Sequence, residues 1–189
     1  MESEQKIITN GYVGITGDKI SYVGKDLPEH FIPQIILDGK GRAVLPGLIN
    51  AHTHVPMVML RSYADDLPLQ EWLFNKIFPI EDKLTADDIY WASMLGMMEM
   101  IRSGITCFAD MYYFMDEVAK VVDKAGIRAN LSRGLQCFDE NINIAQDKRL
   151  LENEQLFKDW AGEGDGRIGI FLGPHSVYTC TPSYLEYIA

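Results

Sequence analysis

Cysteine is scarce in this sequence: three residues, Cys107, Cys137 and Cys180, in a chain of 189. Their wide, irregular spacing supplies neither a disulfide framework nor a Cys-x-x-Cys zinc knuckle, which points to a reducing cytoplasm. Positive charge is also short. Lys and Arg number 17 against 27 Asp and Glu, a net charge of −10, and nucleic-acid binding lacks its basic footprint. No apolar run approaches the roughly 18 residues of a membrane span, and no signal-peptide pattern opens the chain. The expectation is a soluble cytoplasmic protein with neither nucleic acid nor membrane as a partner. Histidine is rare too, with four in all. Disorder is excluded from the other side, because 47% hydrophobic and 23% charged residues are globular proportions.

What is present changes character near residue 44. Before it, short alternating runs are punctuated by turn residues: 6–9 before Asn10-Gly11, 12–16 before Gly17-Asp18, 19–23 before Gly24, and 34–37 before a Gly-rich turn. That is the signature of hairpins. After it, strands alternate with helices. Residues 43–50 read as an apolar strand interrupted by Pro46-Gly47. Thr85–Ser103 reads as a helix, with Thr85 as N-cap, Asp87 and Asp88 in its first turn, and Gly104 as its stop. Further strands are expected at 105–109, 127–131 and 167–172, with helices at 115–124 and 148–160. Thr181-Pro182 opens a last helix. Such alternation predicts a parallel sheet. Four βα units are countable, about half of what a (β/α)8 barrel of ~250 residues needs.

The chemistry gathers just past strand ends. In Pro46-Gly-Leu-Ile-Asn-Ala-His-Thr-His54, two histidines two apart on a strand face the same way, so His52 and His54 form half of a metal site. Zinc, iron and manganese all suit such donors. His175, after the fourth strand, could by position be a third ligand. On their own, Glu81 reads as a helix-entry acid, Trp72 as a packing residue and Arg133 as a solvated charge. Asp110 follows the second strand and is not taken as a ligand.

The HxH segment resembles the amidohydrolase superfamily. The runs 61–73, Gly104-Ile-Thr-Cys-Phe-Ala-Asp110 and Gly173-Pro-His-Ser-Val-Tyr-Thr-Cys180, with Glu81 after Pro79, resemble its 5-methylthioadenosine/S-adenosylhomocysteine deaminase branch, close to the chlorohydrolases. The resemblance implies an α/β fold: the N-terminal half of a (β/α)8 TIM-type barrel over residues 45–189, preceded by strands of a small β-sandwich in residues 1–44. It implies one divalent metal, zinc first and iron or manganese as alternatives, held by His52 and His54. It implies substrate contacts from Glu81, Arg133, His175, Trp72 and, after a loop of variable length, Arg149. An ionised carboxylate such as Glu81 can accept from both ribose hydroxyls.

The implied reaction is hydrolytic deamination of adenine nucleosides. The remaining ligands and the proton shuttle of that family fall beyond Ala189, so no catalytic residue is assigned and the chain alone is expected to be inactive. The expected partner is a small-molecule nucleoside. Self-association into a four-plus-four barrel, a homo-oligomer, stays open. So do three alternatives: a guanine or cytosine deaminase, a chlorohydrolase, and a non-catalytic amidohydrolase-like chain.

Overall fold

A computed structural model describes residues 7–189. The chain divides into two units, Met1–Pro46 and Gly47–Ala189.

In the first unit, β1 (Tyr12–Thr16) and β2 (Lys19–Gly24) form an antiparallel hairpin closed by Gly17-Asp18, with Thr16 opposite Lys19 and a bulge between Gly14 and Ile15. Gly17 takes φ 62°, the left-handed geometry that a two-residue hairpin turn demands. The strands expected at 6–9 and 34–37 are not formed. Lys6 lies outside the described residues, residues 7–9 are coil and turn, and residues 34–37 are irregular. Ile35, Ile36 and Leu37 are 80–89% exposed. Alternation supplies β-propensity, but a strand exists only where a partner takes its ladder hydrogen bonds.

The second unit is built on a parallel sheet. β3 (Leu48–Thr53) leads through a 3₁₀ segment (Val55–Leu60) to a helical run. That run consists of α1 (Leu69–Trp72), a π-helical turn (Leu73–Ile77) and α2 (Phe78–Glu81). Then come α3 (Ala86–Arg102), β4 (Ile105–Tyr112), α4 (Met115–Ala125), β5 (Arg128–Leu135), α5 (Lys148–Trp160) and a short turn, α6 (Glu163–Gly166). The chain closes with β6 (Ile168–Ile170), β7 (Gly173–Pro174) and α7 (Pro182–Ile188). The strand order is β3-β4-β5-β6, every pairing is parallel, and β7 continues beside β5.

The helix signals act as expected. Thr85 and Asp88 form a reciprocal capping box: Asp88 N–H donates to Thr85 Oγ1 at 3.3 Å, and Thr85 N–H donates to Asp88 Oδ2 at 2.9 Å. Gly104 and Gly126 stop α3 and α4 with φ of 82° and 73°. Thr181 caps α7, accepting the Tyr184 N–H. The core under the sheet comprises Ile89, Met97, Phe108, Val118, Val122, Leu131 and Ile168. A smaller cluster gathers Leu135, Cys137, Leu150, Cys180 and Tyr184.

Three strand boundaries differ from expectation. The first strand begins at Leu48 rather than 43, because Pro46 has no N–H for a ladder. β4 continues to Tyr112 and β5 to Leu135, past the points where their apolar runs stop. The fourth strand breaks between Ile170 and Gly173, where the Phe171 carbonyl accepts from the Asn153 side chain instead.

The helical run at 69–81 was not foreseen, since Pro68 and Pro79 bracket and interrupt it. Pro79 cannot donate a backbone bond and its ring collides with the carbonyl four residues back. The run opens by one residue to absorb it: Phe78 N–H reaches back five positions to Leu73 O. Glu81 consequently closes α2 rather than opening a helix.

Candidate metal and substrate site

The extra residues at the ends of β4 and β5 carry most of the site. His52 is exposed near the end of β3, and His54 lies one residue past it; their ring centroids are 5.4 Å apart in an edge-on arrangement. His54 Nδ1 lies 2.6 Å from the Met111 carbonyl. A carbonyl only accepts, so Nδ1 carries the proton and Nε2 keeps the lone pair. This is how a ligating imidazole is commonly oriented.

Tyr112, the last residue of β4, joins two parts of the candidate set. Its hydroxyl donates to Glu81 Oε1 at 2.6 Å, and its ring lies 6.1 Å from that of His54. Burial pushes the Glu81 carboxyl above the usual carboxylate range, while the Tyr112 hydroxyl and the His54 charge oppose that rise. Burial and the Glu81 carboxylate push the Tyr112 phenol upward, so it remains a donor.

Tyr113 joins the rest. The Arg133 guanidinium sits 4.7 Å over its ring, a cation–π contact. Burial and the Glu81 charge raise the Tyr113 phenol, and the Arg133 and Arg149 charges oppose them, so all three charged groups converge on this ring. Two neighbouring residues of α5 hold Arg133: Glu152 Oε2 accepts its Nε–H at 2.7 Å, and Asn153 Oδ1 accepts its backbone N–H at 2.7 Å. Arg149 occupies the first turn of α5, capped by Asp147.

His175 follows β7, with Nδ1 3.0 Å from Thr179 Oγ1. Burial depresses its pKa, and the His54 and His52 charges depress it further, which places it within their electrostatic reach. Trp72, half-buried at the end of α1, makes no hydrogen bond or aromatic ring contact to this cluster among the described residues.

Asp110 is no surface acid. It is 1% exposed, and burial pushes its carboxyl up to about 7 against the lowering effect of its hydrogen bonds. Sequence inspection did not single out Tyr112, Tyr113, Glu152 or Asn153. Tyr112-Tyr113 directly after Asp110-Met111 was the available signal, had the strand been extended past its apolar run.

The donors fit a metal in part. Two imidazoles, one with its outer nitrogen freed by a backbone acceptor, suit a divalent ion. Among the described residues, no group of three or more His, Cys, Asp or Glu could hold one.

Parallel βα units with an HxH pair at the first strand end define an amidohydrolase-type α/β protein. The chain belongs to the amidohydrolase family, whose sequence pattern matches residues 43–189. It is 46% identical over 186 residues to the 5-methylthioadenosine/S-adenosylhomocysteine deaminase of Thermoanaerobacter pseudethanolicus, covering 98% of this chain and 42% of that protein. The chain thus spans less than half the length of such relatives. Among solved structures, it is similar to an adenosine deaminase from Xanthomonas campestris with bound zinc, at 34% identity and a TM-score of 0.67. That match covers 76% of this chain and 32% of the other. The zinc complex of atrazine chlorohydrolase TrzN from Arthrobacter aurescens TC1 shares the fold at 22% identity, with a TM-score of 0.74 over 94% of this chain and 45% of the other.

Proposed function

We propose that this chain carries the first half of the site of a metal-dependent aminohydrolase acting on adenine nucleosides such as 5-methylthioadenosine, S-adenosylhomocysteine and adenosine. Residues 45–189 correspond to the first four units of a (β/α)8 barrel, and residues 1–44 to part of a small β-sandwich. His52 and His54 hold one divalent ion, zinc in the first instance. When bound, such an ion lowers the pKa of a coordinated water and makes it a nucleophile near neutral pH. Glu81 accepts from the ribose hydroxyls, Arg133, Arg149 and His175 contact the nucleoside, and Trp72 lines its base. The cytoplasm is the proposed location.

The observation that carries this proposal is the hydrogen-bonded chain from His54 through Tyr112 to Glu81, which ties the metal half to the sugar-binding half. The deaminase relative at 46% identity supports the substrate class. With two donors and no proton shuttle in hand, the isolated chain is proposed to bind zinc and nucleoside without useful turnover.

Zinc-loaded chain is to be titrated with adenosine, 5-methylthioadenosine and guanine by calorimetry, with ammonia release followed in parallel. Nucleoside binding that fails in Glu81→Ala supports the proposal. Guanine binding indifferent to that substitution would instead favour a free-base deaminase, and turnover above ~1 s⁻¹ would overturn the inactive-half proposal.

A further inference from the structure

The β3–β4 ladder loosens at the point where the site needs precision. Thr53 stands opposite Asp110, yet the register shifts between Asn50 and Thr53, across the residues leading to the histidines. Regular sheet bonding therefore does not fix His54. A single buried oxygen substitutes for it. Asp110 Oδ1 accepts the Thr53 hydroxyl at 3.1 Å and the Val55 N–H at 3.1 Å, gripping the residues on either side of His54. It also accepts the Met111 N–H at 2.9 Å, fixing the peptide next to the carbonyl that takes the His54 ring proton. Backbone and imidazole are thus both referred to one atom. The other carboxyl oxygen, Oδ2, is buried with no partner.

We infer that Asp110 is a positioning residue for the histidine pair: through Thr53, Val55 and Met111 it holds His54 as the Nδ1–H tautomer with Nε2 directed outward to a divalent cation. The metal arm rests on the assignment of His52 and His54 as ligands; the tautomer arm does not.

The test compares the parent chain with Asp110→Leu, Asp110→Asn and Thr53→Val. Imidazole ¹⁵N shifts of the metal-free proteins report which ring nitrogen is protonated, and competition with a chromophoric chelator gives the affinity for zinc alone. Asp110→Asn retains an acceptor oxygen and is expected to keep the His54 tautomer and bind zinc within about threefold of the parent. Asp110→Leu leaves the three donors unserved. It is expected to give mixed tautomers and a 10–100-fold weaker affinity, the usual cost of losing an outer-shell partner of a metal ligand. Thr53→Val removes one of the three bonds and is expected to fall between them, so it decides the matter should Asp110→Leu not fold.

A His54 that stays purely Nδ1–H with unchanged zinc affinity, in whichever of those two variants folds, overturns the inference. A parent that binds no zinc but loses its tautomer in the variant sustains the positioning role and refutes the metal assignment.

Discussion

Replacing Asn153 by alanine tests how the substrate-facing end of β5 is held. Asn153 is 3% exposed. Its Oδ1 accepts the Arg133 N–H at 2.7 Å, and its Nδ2 donates to the Phe171 carbonyl at 3.1 Å, so one side chain of α5 fastens two adjacent strand ends. Truncation leaves both backbone groups without that partner. A buried group stranded in this way costs about 1–3 kcal/mol. Both residues are only partly buried, so the lower half of the range applies to each, and the expected loss is about 2–4 kcal/mol.

Ser132 adds nothing to that loss, because its hydroxyl also donates to the Arg133 carbonyl at 3.0 Å. The assay is urea unfolding followed by circular dichroism. Gln155→Ala on the same helix serves as control; that side chain bonds only the exposed Asp159 carboxylate, and a change within about 0.5 kcal/mol is expected. Asn153→Asp adds a signed arm. The carboxylate keeps an acceptor for Arg133 but opposes the Phe171 carbonyl, so its deficit should shrink as pH falls and the acid becomes a donor. An Asn153→Ala protein within 1 kcal/mol of the parent, at unchanged m value, would refute the reasoning.

Three further outcomes are expected. Gly96→Ala places a Cβ 2.7 Å from Val55 Cγ1, so α3 must move off the segment after His54; overpacking of about 1–3 kcal/mol, offset by up to ~1 kcal/mol of helix propensity, predicts a lower melting temperature. An unchanged or higher one would show that the contact is soft. Tyr112→Phe removes the donor to Glu81 and should weaken nucleoside binding by about 10–100-fold, the worth of a hydrogen bond to a charged group; calorimetry with adenosine measures it, and equal affinities would separate Tyr112 from the site. Asp110 titrates near 7 in the folded chain against an ordinary value of 3.8. The folded state therefore binds more protons between those values. Metal-free stability should fall as pH rises from about 4 to 7 and level off above, by at most about 4 kcal/mol at 1.36 kcal/mol per unit. Asp110→Asn should flatten that slope, and a parent already flat from pH 4 to 7 would contradict it.

Much of the parallel unit was legible from spacing and punctuation. Thr85, Gly104, Gly126 and Thr181 acted where elementary capping rules put them, because caps depend on a few neighbouring backbone groups. Long-range pairing was less legible. Residues 34–37 carry strand-forming side chains with no ladder partner among the described residues, and alternation alone cannot supply one. Strand ends were underestimated for a related reason: hydrophobicity marks what is buried on the sheet, whereas 110–112 and 132–135 continue the backbone ladder with residues that do other work. His52, His54, Glu81, Arg133, Arg149 and His175 were named from motif and resemblance. The tyrosines and the α5 residues that connect and orient them emerge only from contacts separated by 19–31 residues in sequence.

The widened helical turn at Leu73–Ile77 has a consequence for chain length. A π turn holds one residue more than regular α-helix, and each α-helical residue advances about 100° around the axis. Deleting a single residue there would restore ordinary pitch at the cost of swinging Glu81 by roughly that angle, out of line with the Tyr112 hydroxyl. Insertions and deletions in this stretch are therefore not neutral loop-length changes: the segment works as an indexing gear, and the count of residues between Pro68 and Glu81 sets which way the carboxylate faces.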